Sequence, residues 1–372
     1  MSPEEIRIAR RIGFTAIKGL SYSAQRDLLE RVGGVDRFFE ADRNELWRLT
    51  GTTSDVCTDA ARRALLDKGL AEIEFITRHG IGTSFIGEDG YPRRLAECAD
   101  SPLMLYRLGR CNLDSAQMIA IVGTRNATTY GCEFTQKLVK DLAATLDNPV
   151  IVSGLAYGID ISAHKAALDA GIPTVAVLGH GLNTIYPAEH RNAATRILHA
   201  GGALVTEYTS ASPIHRGNFP ARNRIIAGMC DVTVVVESDA RGGAMSTARL
   251  ADDYGRSVAA VPGRVTDRFS RGCNALIYKN RASIVRDASD LAEMMMWKKR
   301  GESASQPEFT FPAMTAEQEE IVAYLRKNPE ATLDDMTAEL NVPYSTLCAR
   351  VMEMEMDDML VSRPGGTYML KI

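Results

Sequence analysis

From Met118 onward the chain alternates short apolar runs with helical stretches, and that rhythm leaves few folds open. The runs cover residues 118–122, 150–153, 174–178, 203–206, 232–236 and 257–261. Strands separated by helix-length crossovers pair in parallel, because a tight hairpin has no room for a helix. Each run is apolar at odd and even positions alike, so both faces of the sheet must be covered. The expected fold class is therefore α/β: a doubly wound, extended Rossmann-type parallel sheet over residues 116–297.

The flanks read differently. Residues 1–75 show helical spacing through Ile6, Ile8, Ile12 and Ile17, then Leu28, Leu29 and Val32, then Phe38, Phe39, Leu46 and Leu49. Glycines at 19, 33–34 and 51 punctuate these pieces. This pattern suits either a helix-hairpin-helix module or a small helical bundle used for packing. Residues 76–115 form a connector whose Gly and Pro signals favour turns. Residues 298–314 are polar and read as a linker. Residues 315–372 follow the order helix, helix, turn, helix and hairpin, with a hairpin tip at 363–366, the order of a winged helix.

Ligands of open α/β sheets bind outside the carboxyl ends of the strands. Five loops lie there. The first carries Gly123, Thr124 and Arg125, with Thr128 or Thr129 placed to cap the next helix and leave amides for an anion. The second runs from Ser153 to Asp160 and carries Gly154, with His164 and Lys165 on the helix beyond it; His164 is expected to be a packed helix residue. A third, Gly179-His180-Gly181, carries little signal alone. The fourth, 213–224, holds His215, Arg216, Arg222 and Arg224 without one carboxylate, and Phe219 and Asn223 lie among them. Cations interleaved with an aromatic ring suit single-stranded nucleic acid, whose bases stack while its phosphates pair. Arg222 and Arg224 also fit internal ion pairs. The fifth loop brings Gly243, Ser246 and Thr247 to another helix start.

Net charge narrows the partner. At −4 overall the chain is not a generic polyanion binder, so a nucleic-acid surface must come from local clustering. The seven cysteines are scattered without C-x-x-C pairs or zinc-ligand spacing, as in a reducing cytosol. Neither a metal nor a cofactor is expected. The N-terminus lacks an apolar signal region and no stretch is long enough for a membrane helix, so a cytoplasmic location is expected.

Taken together, "VGTRNATTYG", "SGLAYGIDISAHKAAL", "GHGLNTIYP", "FPARNRIIAG", "GGAMSTARLA" and "VPGRVTDRFSRGCNALI" resemble the DNA-processing protein A (DprA/Smf) family, tightly over about residues 85–290. "DGYPRRL" and "SPLMLYRLG" extend the likeness upstream. The resemblance implies a Rossmann-type domain that binds single-stranded DNA, helps load RecA recombinase during natural transformation, and forms homodimers. It places Arg125, Arg216 and Phe219 at DNA-contact positions. Arg222, Asn223 and Arg224 fall in the same pocket motif, and Lys165 transfers more weakly. Thr124 stands where serine is commoner, and Arg241-Gly242-Gly243-Ala244 where Ser-Gly-Ser is usual. The C-terminal segment departs from a DNA-reading expectation: residues 315–372 hold eleven acids and five Lys/Arg. It reads as a partner or regulatory module, or as a stabilising domain.

The competing enzyme reading is a phosphoribohydrolase-like member of the same broad Rossmann group. Such enzymes carry a glutamate shortly after a Pro-Gly-Gly loop. Here the Gly-Gly loop runs on into Thr247-Ala248-Arg249-Leu250 without an acid at that spacing. A G-x-x-x-x-G-K-[ST] loop is also missing, which argues against an ATPase. A non-catalytic binding protein is the expectation. An adaptor that needs no nucleic acid would have no use for the carboxylate-free "HRGNFPARNR" stretch.

Overall fold

The computed structural model describes residues 1–51, 55–301, 314–363 and 365–371. It falls into two compact units, 1–301 and 302–372.

The first unit opens with helices α1 (Pro3–Thr15), α2 (Tyr22–Val32), α3 (Val35–Glu40), α4 (Arg43–Thr50) and α5 (Asp59–His79). Side-chain caps set their starts: Ser2 and Glu5 form a capping box on α1, and Ser21, Asp42 and Thr58 cap α2, α4 and α5. Gly69 lets α5 lie directly on α1, since a Cβ there would collide with the Ala9 carbonyl. Phe14, Phe38 and Leu46 are fully buried between these helices. The Gly33–Gly34 turn links α2 to α3, and the nearby Arg37 bonds Glu45 at 2.9 and 3.1 Å.

Strands β1 (Gly82–Phe85) and β2 (Met104–Gly109) follow, with the short α6 (Arg93–Ala96) between them. They lie inside the stretch read from sequence as a turn-rich connector. The alternation then unfolds as β3 (Met118–Val122), α7 (Thr129–Thr145), β4 (Val150–Ser153), α8 (Ile159–Asp169), β5 (Thr174–Val177), α9 (Arg191–His199) and β6 (Ala203–Thr206). After it come α10 (Asn218–Met229), β7 (Val232–Val235), α11 (Gly243–Asp253), β8 (Ser257–Ala260), α12 (Arg271–Tyr278), β9 (Ser283–Ile284) and α13 (Ala288–Met294). All six sequence-predicted strands are present within one residue of their expected ends. The sheet order is β1-β2-β6-β5-β4-β3-β7-β8-β9. It is parallel from β6 to β9, while β2 pairs antiparallel with β1 and β6.

The alternation along β3 shows why both faces had to be apolar. Ile119 and Ile121 pack with Leu138, Leu142 and Ala163 of α7 and α8. Met118, Ala120 and Val122 pack the other way, with Ile226, Ala244 and Ala248 of α10 and α11. The chain adds strands from β3 outward to β6, then returns to place β7 on the other side of β3. Loops after β3 and β7 therefore diverge and open a crevice at this switch point.

The second unit contains α14 (Ala316–Lys327), β10 (Ala331–Thr332), α15 (Leu333–Leu340), α16 (Tyr344–Met356), β11 (Leu360–Arg363) and β12 (Thr367–Leu370). Its small sheet has the order β10-β12-β11, and Ile321, Leu325, Met336, Leu347, Val351 and Met354 form its core. This is the winged-helix arrangement expected from sequence. Of the expected hairpin tip, Pro364 lies outside the described residues, as does most of the expected linker.

Candidate nucleic-acid interface

A cleft of about 650 Å³ occupies the switch point between β3 and β7. Its walls come from four places: Gly123, Thr124 and Arg125 after β3; Ala156 and Asp160 after β4; one face of α10; and Asp239 to Thr247 around the start of α11. Arg268 and Phe269, from the segment after β8, close the side.

Helix α10 supplies Phe219, Arg222, Asn223 and Ile226 to this wall. These stand at i, i+3, i+4 and i+7, so they share one helix face. Phe219 is half-buried, its ring 5.4 Å from the Tyr186 ring, and it presents its remaining surface to the cleft. Arg222 turns inward. Its guanidinium crosses Gly154, donates to the Val177 carbonyl and lies within electrostatic reach of Asp160. A Cβ at position 154 would collide with that guanidinium, so only glycine leaves it a path. Burial pulls the Arg222 pKa down to about 10, and Asp160 opposes the fall; the group stays cationic at neutral pH. Burial pushes the Asp160 carboxyl up, while Arg222 and the amides of Ala156 and Gly154 oppose the rise. Asp160 accepts from the Gly154 amide at 3.1 Å. It is a structural partner of a buried cation, not a free acid.

Arg224 is two residues on, and two residues on a helix is roughly 200° of rotation. It leaves the cleft. It pairs with Glu207 at 2.6 Å, with both side chains at least 92% buried, and its guanidinium lies 3.9 Å from the centre of the Tyr22 ring on α2. Of the two internal pairings considered from sequence, Arg224 makes the complete one, and its side chain does not line the cleft.

Arg125 is exposed at the cleft and has no carboxylate partner among the described residues. Arg216 is likewise exposed, without a carboxylate partner among the described residues, on the loop leading into α10 and outside the cleft wall itself. Lys165 is exposed further along α8, also outside the wall. Gly243, Ser246 and Thr247 line the cleft at the start of α11. That helix has no side-chain cap, and a Cβ at Gly243 would meet open space. The Met245 amide bonds the Gly242 carbonyl at 3.1 Å, and the Gly243 and Ala244 amides lie at this helix start beside the cleft, a setting that favours an anion.

The start of α7 departs from expectation. Thr128 does cap it, accepting from the Gly131 amide at 3.2 Å. However, the amides do not await an external anion. The buried Glu237 carboxylate takes the Thr128 amide at 2.9 Å and the Thr128 hydroxyl at 2.5 Å. An internal acid already fills that position.

Sequence reading placed Arg241 in the fifth loop without a site role of its own, and it overlooked Arg268 and Phe269 as wall residues. Arg268 is bonded to Asp239 at 2.8 Å through Nε, with its side chain 72% exposed. His164 is fully buried, its Nδ1 2.7 Å from the Thr174 hydroxyl, and burial lowers its pKa to about 3. It is a packing residue, as the sequence suggested. No cluster of His, Cys, Asp or Glu among the described residues could hold a metal ion. No described helix is long and apolar enough to cross a membrane.

Comparison with known proteins places this cleft in context. The family model "DNA recombination-mediator protein A" matches residues 82–296. The putative DNA processing protein DprA of Mycobacterium tuberculosis is 39% identical over 267 residues, covering 68% of this chain and 64% of that protein. The chain thus spans slightly less than two thirds of that relative's length. The X-ray structure of DprA from Streptococcus pneumoniae has a TM-score of 0.61 and 29% identity, covering 78% of this chain and 95% of that one. DprA from Helicobacter pylori, whose structure addresses its single-stranded DNA binding mode, has a TM-score of 0.52 and 30% identity, covering 58% and 95%.

Proposed function

The chain belongs to the DNA recombination-mediator protein A family, and we propose that it binds single-stranded DNA in the switch-point cleft, largely without sequence preference, and helps load RecA recombinase on the bound strand. The observation that carries this reading is the cleft's composition. Arg125, Arg222 and Arg241 converge on it with a half-buried Phe219, while the acid deepest in the wall, Asp160, already faces Arg222. A strand crossing the cleft places phosphates on Arg125 and Arg216 and on the open amides of α11, and a base against Phe219. Such contacts go to backbone and ring faces, which carry little sequence information.

The reading is binding rather than catalysis: Asp160 accepts from the Gly154 amide, and Glu237 accepts from the Thr128 amide and hydroxyl. A homodimer would carry two such clefts and allow one strand to run between them. The setting is natural transformation and recombination in the cytoplasm. Two measurements test the reading. Wild type should hold a fluorescent oligo-dT more tightly than a matched duplex. It should also shorten the delay before RecA assembles on a strand covered by single-strand-binding protein. Equal binding to strand and duplex, or an unchanged delay, counts against it.

A further inference from the structure

A second cleft, of about 980 Å³, lies beside the first, and Arg268 and Phe269 belong to the walls of both. Its far side is built from Tyr130 on the first turn of α7 and from the segment 262–267 after β8. Tyr130 is 50% exposed, although its hydroxyl donates to the Pro262 carbonyl at 3.2 Å and Phe134 backs its ring at 6.2 Å. An aromatic side chain held at its tip and from behind, yet half open to solvent, is a ready stacking surface. Arg264 is exposed without a carboxylate partner among the described residues. Arg268 stands on the divide, its Nε held by Asp239 and the rest of its guanidinium exposed.

We propose that this second cleft is a further station for the bound single strand, in which Tyr130 stacks one base and Arg264 and Arg268 take the flanking phosphates. The inference rests on the reading of the first cleft given above. Phe219 lines the first cleft, Tyr130 and Arg264 line the second, and Arg268 lines both, so each cleft offers a ring and a cation. That pairing suits a single strand, whose bases stack while its phosphates pair. The phosphates must rely on the arginines, because Glu237 already occupies the start of α7. Of the acids here, Glu237 is buried against α7 and Asp239 is paired with Arg268, while Asp267 is an exposed acid of the wall; Arg264 is the cation of this cleft without a carboxylate partner among the described residues.

The test is a ladder of fluorescent oligo-dT from about 4 to about 16 nucleotides, read by anisotropy for wild type, Tyr130→Ala, Tyr130→Phe and Arg264→Glu. The shortest strands fill only the first cleft. The proposal expects Tyr130→Ala to weaken long strands about 5- to 150-fold, the loss of one stacked base, and to leave short strands unchanged. Tyr130→Phe should restore long-strand binding, and Arg264→Glu, a change at an exposed site that the fold does not need, should repeat the length-dependent loss. Wild-type affinity of both Tyr130→Ala and Arg264→Glu at every length would overturn the second station and leave the first cleft standing. Equal weakening of short and long strands would also overturn it, by making Tyr130 part of the first cleft. Failure of wild type to bind any strand would remove the first-cleft reading itself.

Discussion

The two units of this chain differ in how their cations are placed, and under the proposed function they invert a common expectation about which fold meets DNA. The winged helix is a shape that often presents its last helix to a duplex, yet here that helix offers no free cation. Arg350 of α16 is bonded to Glu317 and Glu353, each at 2.9 Å, and Tyr344, Met352, Glu353 and Met356 make up much of the exposed surface. The Rossmann-type unit has no such association by shape alone. Its switch-point cleft nevertheless gathers arginines and a ring, with its deepest acid already partnered. The difference teaches that charge placement on a site, not the fold around it, decides what is bound.

The largest expected effect concerns the buried charges in the wall of the cleft. Arg222→Met strands Asp160 without its counter-charge in the core, which should cost about 3–5 kcal/mol of stability. Urea unfolding of the first unit would show it, and a loss under about 1 kcal/mol would mean that Arg222 is not structural. Next comes the surface of the same cleft. Arg125→Ala/Arg216→Ala should leave the urea midpoint unchanged but weaken oligo-dT at least tenfold, since hydrogen bonds to charged groups are worth ~1.5–3 kcal/mol each. Phe219→Ala should cost about 1–3 kcal/mol of binding at fixed salt; unchanged affinity would remove the stacking assignment.

Acid should separate the two units further. The depressed pKa of His164, about 3 against an ordinary 6.5, means that the unfolded chain takes up a proton the folded one refuses. The sign follows: its contribution is fully present above pH 6.5 and is lost as pH falls, by up to ~1.4 kcal/mol per pH unit. All six histidines lie in the first unit. Its melting temperature should therefore drop between pH 6.5 and about 4, and His164→Asn should flatten that slope. A wild-type slope retained in His164→Asn would assign the effect elsewhere. The smallest expected effect is on the other side of the comparison. A chain ending after Gly301 should bind oligo-dT within about twofold of wild type, because residues 315–372 offer little to a phosphate.

Much of this arrangement was legible because it is written in local pattern. Six strands could be read from their doubly apolar runs, and the loops after them from glycines at strand ends. What escaped depends on tertiary partners. Strands β1 and β2 gain their identity by pairing with each other and with β6, which no local signal in a Gly- and Pro-rich stretch announces. Glu237 gave no signal of its own in the sequence; its burial against the start of α7, 109 residues earlier in the chain, is a long-range contact. Arg268 enters the wall from a segment whose path no periodicity predicts. The split between Arg222 and Arg224 could have been found: residues 219, 222, 223 and 226 share a helical face, and 224 falls off it.

The most direct test of the account is fluorescence anisotropy of oligo-dT and a matched duplex across a salt series, with Arg125→Ala/Arg216→Ala beside wild type. The account predicts tighter binding of the single strand. It also predicts a log–log salt slope shallower by about 1.4 in the double variant, two phosphate contacts at ~0.7 each. Equal affinity for strand and duplex, or the same slope in variant and wild type, would contradict it.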